Sequence, residues 1–298
     1  MTNINQPPSV FIVGCSRGGT TLLQSILSSH PKYYSFPESN ILYHVLDDLE
    51  FRRFGNFVGR IKIPKMYFLK LLNLLGYTNS FSNKYFSEFL NDVNRPELNK
   101  LLPLNTHSIK DIFRSFQIIL ETLSNGKPWI EKTPQNIFCL DLMSQHINNV
   151  QYIHIVRNGQ DNVASLIDAA NKYDTFRYRF GGKNGLVKAV NYWNSCIKIS
   201  HKYRNHPSHE IVRFEDIVGN PLESLKQTAD KLNIELHQNM LNYATTNIAT
   251  KAEQWKIRDS NEISKPINKF DQIFSDKEKE YISTHIVNLD NYFPRQYN

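Results

Sequence analysis

Cysteine is scarce in this chain of 298 residues. Cys15, Cys139 and Cys196 are odd in number and lie at spacings that fit neither a disulfide framework nor a C-x-x-C metal site. Each is expected to be a small buried side chain in a reducing cytoplasm, with Cys15 the one placed in a loop that thiol reagents could reach. No stretch holds the roughly eighteen uninterrupted apolar residues of a membrane span. The opening MTNINQPPS has neither an apolar signal core nor an Arg-rich amphipathic pattern, so the expectation is a cytoplasmic protein with no membrane span. Also missing are a Pro/Gly/Ser-rich linker, an internal repeat and a low-complexity block, which favours one domain over residues 1–298. The ten histidines include no H-E-x-x-H pair, and no strand ends in an acidic residue fit to hold the Mg²⁺ of a triphosphate. No metal is expected.

What the chain does have is an excess of cations, 35 Lys and Arg against 28 Asp and Glu, for a formal charge of +7. That balance suits an acidic ligand. The cations are scattered, with no basic stripe and no RNA or DNA motif, so a nucleotide is favoured over a nucleic acid.

The stretch SVFIVGCSRGGTTLLQSILSSH, Ser9 to His30, carries the strongest local signal. Val10 to Val13 read as a short buried parallel strand closed by Gly14, and Leu22, Leu23, Ile26 and Leu27 recur at helical spacing. Between them, Gly14 to Thr21 fits the phosphate-loop frame G-x-x-x-x-G-K-[ST] except that Thr20 replaces the lysine. Gly18 and Gly19 would let backbone amides converge on an oxyanion, and Thr20 and Thr21 would add hydroxyls at the positive end of a helix. Arg17 is the only cation inside the loop. The cradle survives, and the lysine that serves a nucleoside triphosphate does not.

GCSRGGTTLL followed by HP resembles the 5′-phosphosulfate loop, P-[RK]-S-G-T-T, of sulfotransferases that use 3′-phosphoadenosine 5′-phosphosulfate (PAPS). Ser16 here stands for the proline and Gly18 for the serine. A second segment, RNGQDNVAS, matches the family pattern R-N-x-x-D-x-x-x-S at Arg157, Asn158, Asp161 and Ser165. The resemblance gives Arg157 and Ser165 the 3′-phosphate, a role that suits a guanidinium able to grip two oxygens and a hydroxyl that takes a third. Glu131-Lys132-Thr133-Pro134 resembles the Lys-Thr-His segment of cytosolic members, with Pro134 in place of the histidine base. HPKYYSFPES resembles instead the tyrosylprotein-type segment in which a glutamate accepts the proton, which assigns the base to Glu38. By the same likeness Lys132, with Arg17 opposite, would stabilise charge on the leaving 5′-phosphate. DSNEISKPIN, 259–268, resembles the loop that closes over the nucleotide in the tyrosylprotein enzymes, making Ser260 and Lys265 expected donor contacts. RFED, 213–216, resembles a structural Y-E-D-L segment. The adenine-stacking tryptophan of many members is replaced by Leu22, which leaves Trp255 or another aromatic for that task.

Further along, the residues alternate between strand and helix patterns. Trp129–Ile130, Val150–Val156 and Glu210–Phe214 read as strands. Helical spacing marks Ile137–His146, Asp161–Ala170, Leu186–Tyr203 (Trp193 inward) and Pro221–Leu232, and FRYRFGGKNG, 176–185, reads as a loop. KYYSFP, 32–37, is expected to run back across the carboxyl edge of the sheet. About 40–127 is mostly helical and would form an acceptor-side insertion, and about 250–272 a donor-covering loop. The expected fold is α/β, a three-layer sandwich like the P-loop nucleotide hydrolases, with a central parallel sheet. The expected activity is transfer of a sulfuryl group from PAPS to a hydroxyl or amine of a small-molecule, carbohydrate, lipid or peptide acceptor, without metal. Two other readings remain: a P-loop kinase or nucleotide hydrolase using ATP–Mg²⁺, and a non-enzymatic nucleotide- or nucleic-acid-binding module.

Overall fold

The period of two along the first strand sorts the core into two layers. Phe11 and Val13 pack on one side of the sheet and Val10 and Ile12 on the other, all with no solvent exposure. The structure, a computed structural model, describes residues 6–46, 77–101, 109–242 and 269–295. Its five strands are β1 (Ser9–Gly14), β2 (Tyr34–Ser35), β3 (Trp129–Lys132), β4 (Val150–Val156) and β5 (His209–Arg213). They form one all-parallel sheet in the order β2-β3-β1-β4-β5. β1 is central, which explains its unbroken apolar run: a strand covered on both faces has no polar side to show.

On the Val10/Ile12 face lie Leu23, Ile26 and Leu27 of the helix Thr20–Ser28, and Leu225 and Ala229 of the helix Pro221–Lys231. On the Phe11/Val13 face lie Phe113, Phe116 and Leu120 of Ile109–Leu123, Val163 and Leu166 of Gly159–Lys172, and Trp193 and Ile197 of Gly185–Lys202. The result is a sheet between two helical layers, the P-loop-like α/β fold. Every strand leads toward the same edge, so the loops after β1, β3 and β4 meet there.

Three local readings change. KYYSFP contains the short edge strand β2, which Tyr34 and Ser35 form beside Trp129 and Ile130. This delivers Glu38 to the carboxyl edge next to the end of β3. The stretch 176–185 is half helix: Asp174–Phe180 is helical, Arg177 Nη1 donates to Asp174 Oδ1 at 2.7 Å, and Phe180 is buried against Tyr192. Gly182, with φ of 75°, follows its end. The turn Pro134–Cys139 is a 3₁₀ helix preceding the α-helix Leu140–His146. Of the expected insertion, the helices Ile41–Leu46, Tyr77–Asp92 and Ile109–Leu123 and the 3₁₀ segment Pro96–Leu101 are seen. Residues 47–76 lie outside the described residues. Among the described residues no helix is long and apolar enough to cross a membrane.

Candidate active site

The loop after β1 is tight. Gly18 N–H donates to Cys15 O at 3.0 Å, Arg17 takes a left-handed φ of 65°, and Gly19, at φ of 103°, caps the helix that follows. The first amides of that helix have no carbonyl one turn behind them and face the loop. A Cβ at Gly18 would come within 2.8 Å of Cys15 O and 3.1 Å of Asn162 Oδ1. A Cβ at Gly19 would enter the ring of Phe214. Both glycines are therefore required by space, and Gly19 by conformation as well.

Arg157 follows directly on strand β4, and the next helix carries Ser165 back over the loop. Arg17 Nε donates to Ser165 Oγ at 3.4 Å, and Arg157 Nη1 donates to Arg17 O at 3.2 Å. The two segments expected from the sequence to bind anions thus meet. Asn158 caps the helix by accepting from Asp161 N–H at 3.2 Å, and its own N–H donates to Glu215 Oε1 at 2.7 Å. Burial raises the Glu215 carboxyl, against the pull of that hydrogen bond. Arg157 is held from two more sides: Trp193 Nε1 donates to its carbonyl at 3.1 Å, and its guanidinium stands 4.6 Å from the centre of the Phe214 ring. Phe214 is thus wedged between Gly19 and Arg157.

Three further side chains shape the loop, and the sequence did not single them out for it. Asn162 Nδ2 donates to Ser16 O at 2.9 Å, and Tyr192 Oη accepts from Ser16 N at 3.3 Å. Gln24 Nε2, on the first helix, donates to Phe36 O at 2.6 Å and fixes the segment that leads to Glu38. Each partner is more than ten residues away in sequence, so no local pattern marks it. Cys15, expected within reach of reagents, is buried, and burial pushes its thiol up. Cys139 and Cys196 are also buried and free.

Lys132 and Glu38 form an ion pair at the end of β3, with the Lys132 side chain fully buried and that of Glu38 15% exposed. Lys132 Nζ also lies 3.4 Å from Thr21 Oγ1, so the ammonium sits between the carboxylate and the start of the helix after β1. Glu131 organises this corner from inside. Its Oε1 accepts from Ser39 Oγ at 2.7 Å and Thr133 Oγ1 at 2.5 Å, and its Oε2 from Asn136 Nδ2 at 3.1 Å. Thr133 Oγ1 in turn accepts from Asn40 N–H at 3.2 Å. Burial raises the Glu131 carboxyl, with the Thr133 and Ser39 hydrogen bonds opposing. The chain on either side of Pro134 is therefore committed to holding residues 39 and 40.

Arg213 of the RFED segment donates to Asp290 Oδ1 at 2.6 Å and Phe293 O at 2.5 Å, which ties the C-terminal helices to β5. Ser260, Lys265 and Trp255 lie outside the described residues. Among the described residues no cluster of three His, Cys, Asp or Glu side chains could hold a metal ion.

A family model described as "Sulfotransferase family" matches residues 8–238, well over half of the chain and every element described above except the C-terminal helices. The chain belongs to the sulfotransferase family. Among solved structures, this sulfotransferase is similar to the sulfotransferase domain from the curacin biosynthetic pathway, with a TM-score of 0.56 and 18% identity over 93% of this chain and 96% of that one. It is also similar to the sulfotransferase domain of the Synechococcus PCC 7002 olefin synthase, with a TM-score of 0.55 and 18% identity over 95% and 96% of the two chains. Mouse sulfotransferase SULT7A1, solved in complex with PAP, gives a TM-score of 0.50 and 14% identity over 93% of this chain and 81% of that one. At these identities the likeness is one of fold. No curated protein matches the chain by sequence.

Proposed function

We propose that this sulfotransferase takes its sulfuryl group from PAPS and passes it in line to a hydroxyl or amine, leaving adenosine 3′,5′-bisphosphate (PAP). The observation that carries the reading is the meeting of two anion-binding segments at Arg17: its side chain reaches Ser165, and its carbonyl holds Arg157. A donor with phosphate at the 3′-position and phosphosulfate at the 5′-position needs two such groups of donors on one surface. The 5′-phosphosulfate falls to Arg17, the amides of Gly18 and Gly19 and the hydroxyls of Thr20 and Thr21, and the 3′-phosphate to Arg157 and Ser165. Ser260 and Lys265 are proposed as further donor contacts.

The chemistry asked of the chain is one proton removed and one growing charge neutralised. As the acceptor oxygen bonds to sulfur, the bond from sulfur to the bridging oxygen of the 5′-phosphate breaks, and the acceptor proton goes to Glu38. The ion pair with Lys132 requires Glu38 to be a carboxylate, the form that accepts a proton. Lys132, already within reach of Thr21 in the loop, turns its charge to the leaving phosphate, which gains negative charge in the transition state. Arg17 acts on the same group from the loop. Release of the Lys132 ammonium toward the phosphate frees Glu38 at the moment its basicity is needed.

A thermal-shift comparison tests the reading. PAP without metal is expected to stabilise the protein, and ATP with Mg²⁺ to do so weakly. Equal shifts would point to a kinase or nucleotide hydrolase, and strong salt-dependent binding to polynucleotide would point to a nucleic-acid module.

A further inference from the structure

One face of the helix Asp174–Phe180 lies between the loop cation Arg17 and the helix Ile41–Leu46 that follows Glu38. Phe176 stands over the Arg17 guanidinium, with 6.0 Å between the guanidinium carbon and the ring centre. One turn on, Arg179 lies over the ring of Tyr43 at 4.8 Å, and residues three apart share a helix face. Tyr43 is five residues past Glu38, on the helix Ile41–Leu46. The face therefore runs from the loop cation to the segment that carries the base.

The surroundings of Arg179 are aromatic. Next to it Phe180 packs on Tyr192 at 5.3 Å, and Tyr192 bonds Ser16 of the anion loop. Beside Tyr43, the His44 ring stacks on Tyr85 at 4.7 Å. The Arg179 charge is felt by both neighbours: after burial it is the main cause that lowers His44, and it opposes the burial that raises Tyr192. Among the described residues the contact of Arg179 is the Tyr43 ring, and no ion pair joins it to a carboxylate. Glu88, the acid felt by His44, pairs with Lys84 at 3.8 Å. A single guanidinium on an aromatic wall matches a singly charged, planar anion carried on an apolar body. A phosphate dianion would call for a second cation.

Resting on the sulfotransfer reading, we propose that the acceptor carries a carboxylate that Arg179 binds, on an aromatic or other apolar body that lies against Tyr43 and Phe176. The carboxylate sits at Arg179, one helical turn along the wall from Phe176 and the loop cation. Arg179 is then a specificity residue of the acceptor and takes no part in holding the donor.

Calorimetric titration in two steps tests this. PAP is added first, and the PAP-loaded protein is then titrated with three phenols of similar size: 3-(4-hydroxyphenyl)propionate, 4-propylphenol and tyramine. The carboxylate is expected to bind about 10-fold or more tighter than 4-propylphenol, with tyramine weakest. Arg179→Met, which keeps an apolar stem against Tyr43, is expected to erase that preference while leaving the affinities for 4-propylphenol and PAP unchanged. Arg179→Lys should restore part of it. Equal binding of the carboxylate and 4-propylphenol to the unaltered protein, or a preference that survives in Arg179→Met, would overturn the inference. Failure of PAP to bind in the first step would instead overturn the sulfotransfer reading, and this inference with it.

Discussion

The Lys132 ammonium is shared between the Glu38 carboxylate and the hydroxyl of Thr21, so one buried cation joins the proposed base to the anion loop. Glu38→Gln keeps the shape and loses the proton acceptor. Its kcat is expected to fall about 100-fold or more, with PAP affinity within a few-fold of the unaltered enzyme. Full turnover in that variant would remove Glu38 as the base. Lys132→Met should lower kcat as well, and it should also destabilise the fold by about 3 kcal/mol, because a mostly buried carboxylate is left without its partner.

Phe214 fills the space beside Gly19 and stacks on Arg157. Gly19→Ala must force an alanine into a φ of 103° and push its methyl into that ring. The expected cost is about 1–3 kcal/mol of stability, together with weakened PAP binding. Phe214→Ala opens the space, so the double variant should lose less than the sum of the two single losses. Additive losses in denaturation midpoints would show that the ring and the glycine are not coupled.

What the sequence revealed about this site was its local grammar. The strand, glycine turn and helix of residues 9–28 are contiguous, and Arg157 and Ser165 lie on one strand end and the helix after it, so their spacing alone places them. The parallel sheet was legible because β1 and β4 are covered on both faces and read as apolar runs. What stayed hidden depends on partners far apart in the chain. β2 has two residues and exists only because β3 lies beside it. Gln24, Asn162 and Tyr192 are ordinary helix residues until the fold sets them against Phe36 and Ser16. Glu131 looked like one member of a motif, and its three hydrogen bonds define the corner that holds Ser39 and Asn40. The helix Asp174–Phe180 was obscured by its two arginines and the glycines behind it.

Away from the site, His154 Nε2 and His209 Nδ1 meet at 2.8 Å between β4 and β5, and the His209 ring is stacked on Tyr152 and Tyr203. Burial lowers His154 well below the usual imidazole range and His209 to about 3. Both rings are neutral in the fold, whereas in the unfolded chain they take up protons near pH 6.5. Acid therefore favours unfolding from about pH 6.5 downward, and for His209 the loss continues until about pH 3. Glu210 works in the opposite direction. Burial raises it to about 7, so its contribution is most favourable below the unfolded value near 4.5 and is lost as the pH rises toward 7. Two imidazoles outweigh one carboxyl between these limits. Tm should fall from pH 6.5 to pH 5, more steeply in Glu210→Gln and less steeply in His209→Phe, which keeps the ring stack. Parallel Tm profiles for all three proteins would contradict the assignment.

The proposed grip on a 3′-phosphate separates this account from any other P-loop chemistry, and calorimetry reads it directly. PAP and adenosine 5′-monophosphate differ only in that phosphate. The account predicts that PAP binds the unaltered protein at least about 10-fold more tightly, as expected for charge-assisted hydrogen bonds from Arg157 and Ser165, and that Arg157→Ala abolishes the difference. Equal affinity for the two nucleotides, or a difference that persists in Arg157→Ala, would contradict it.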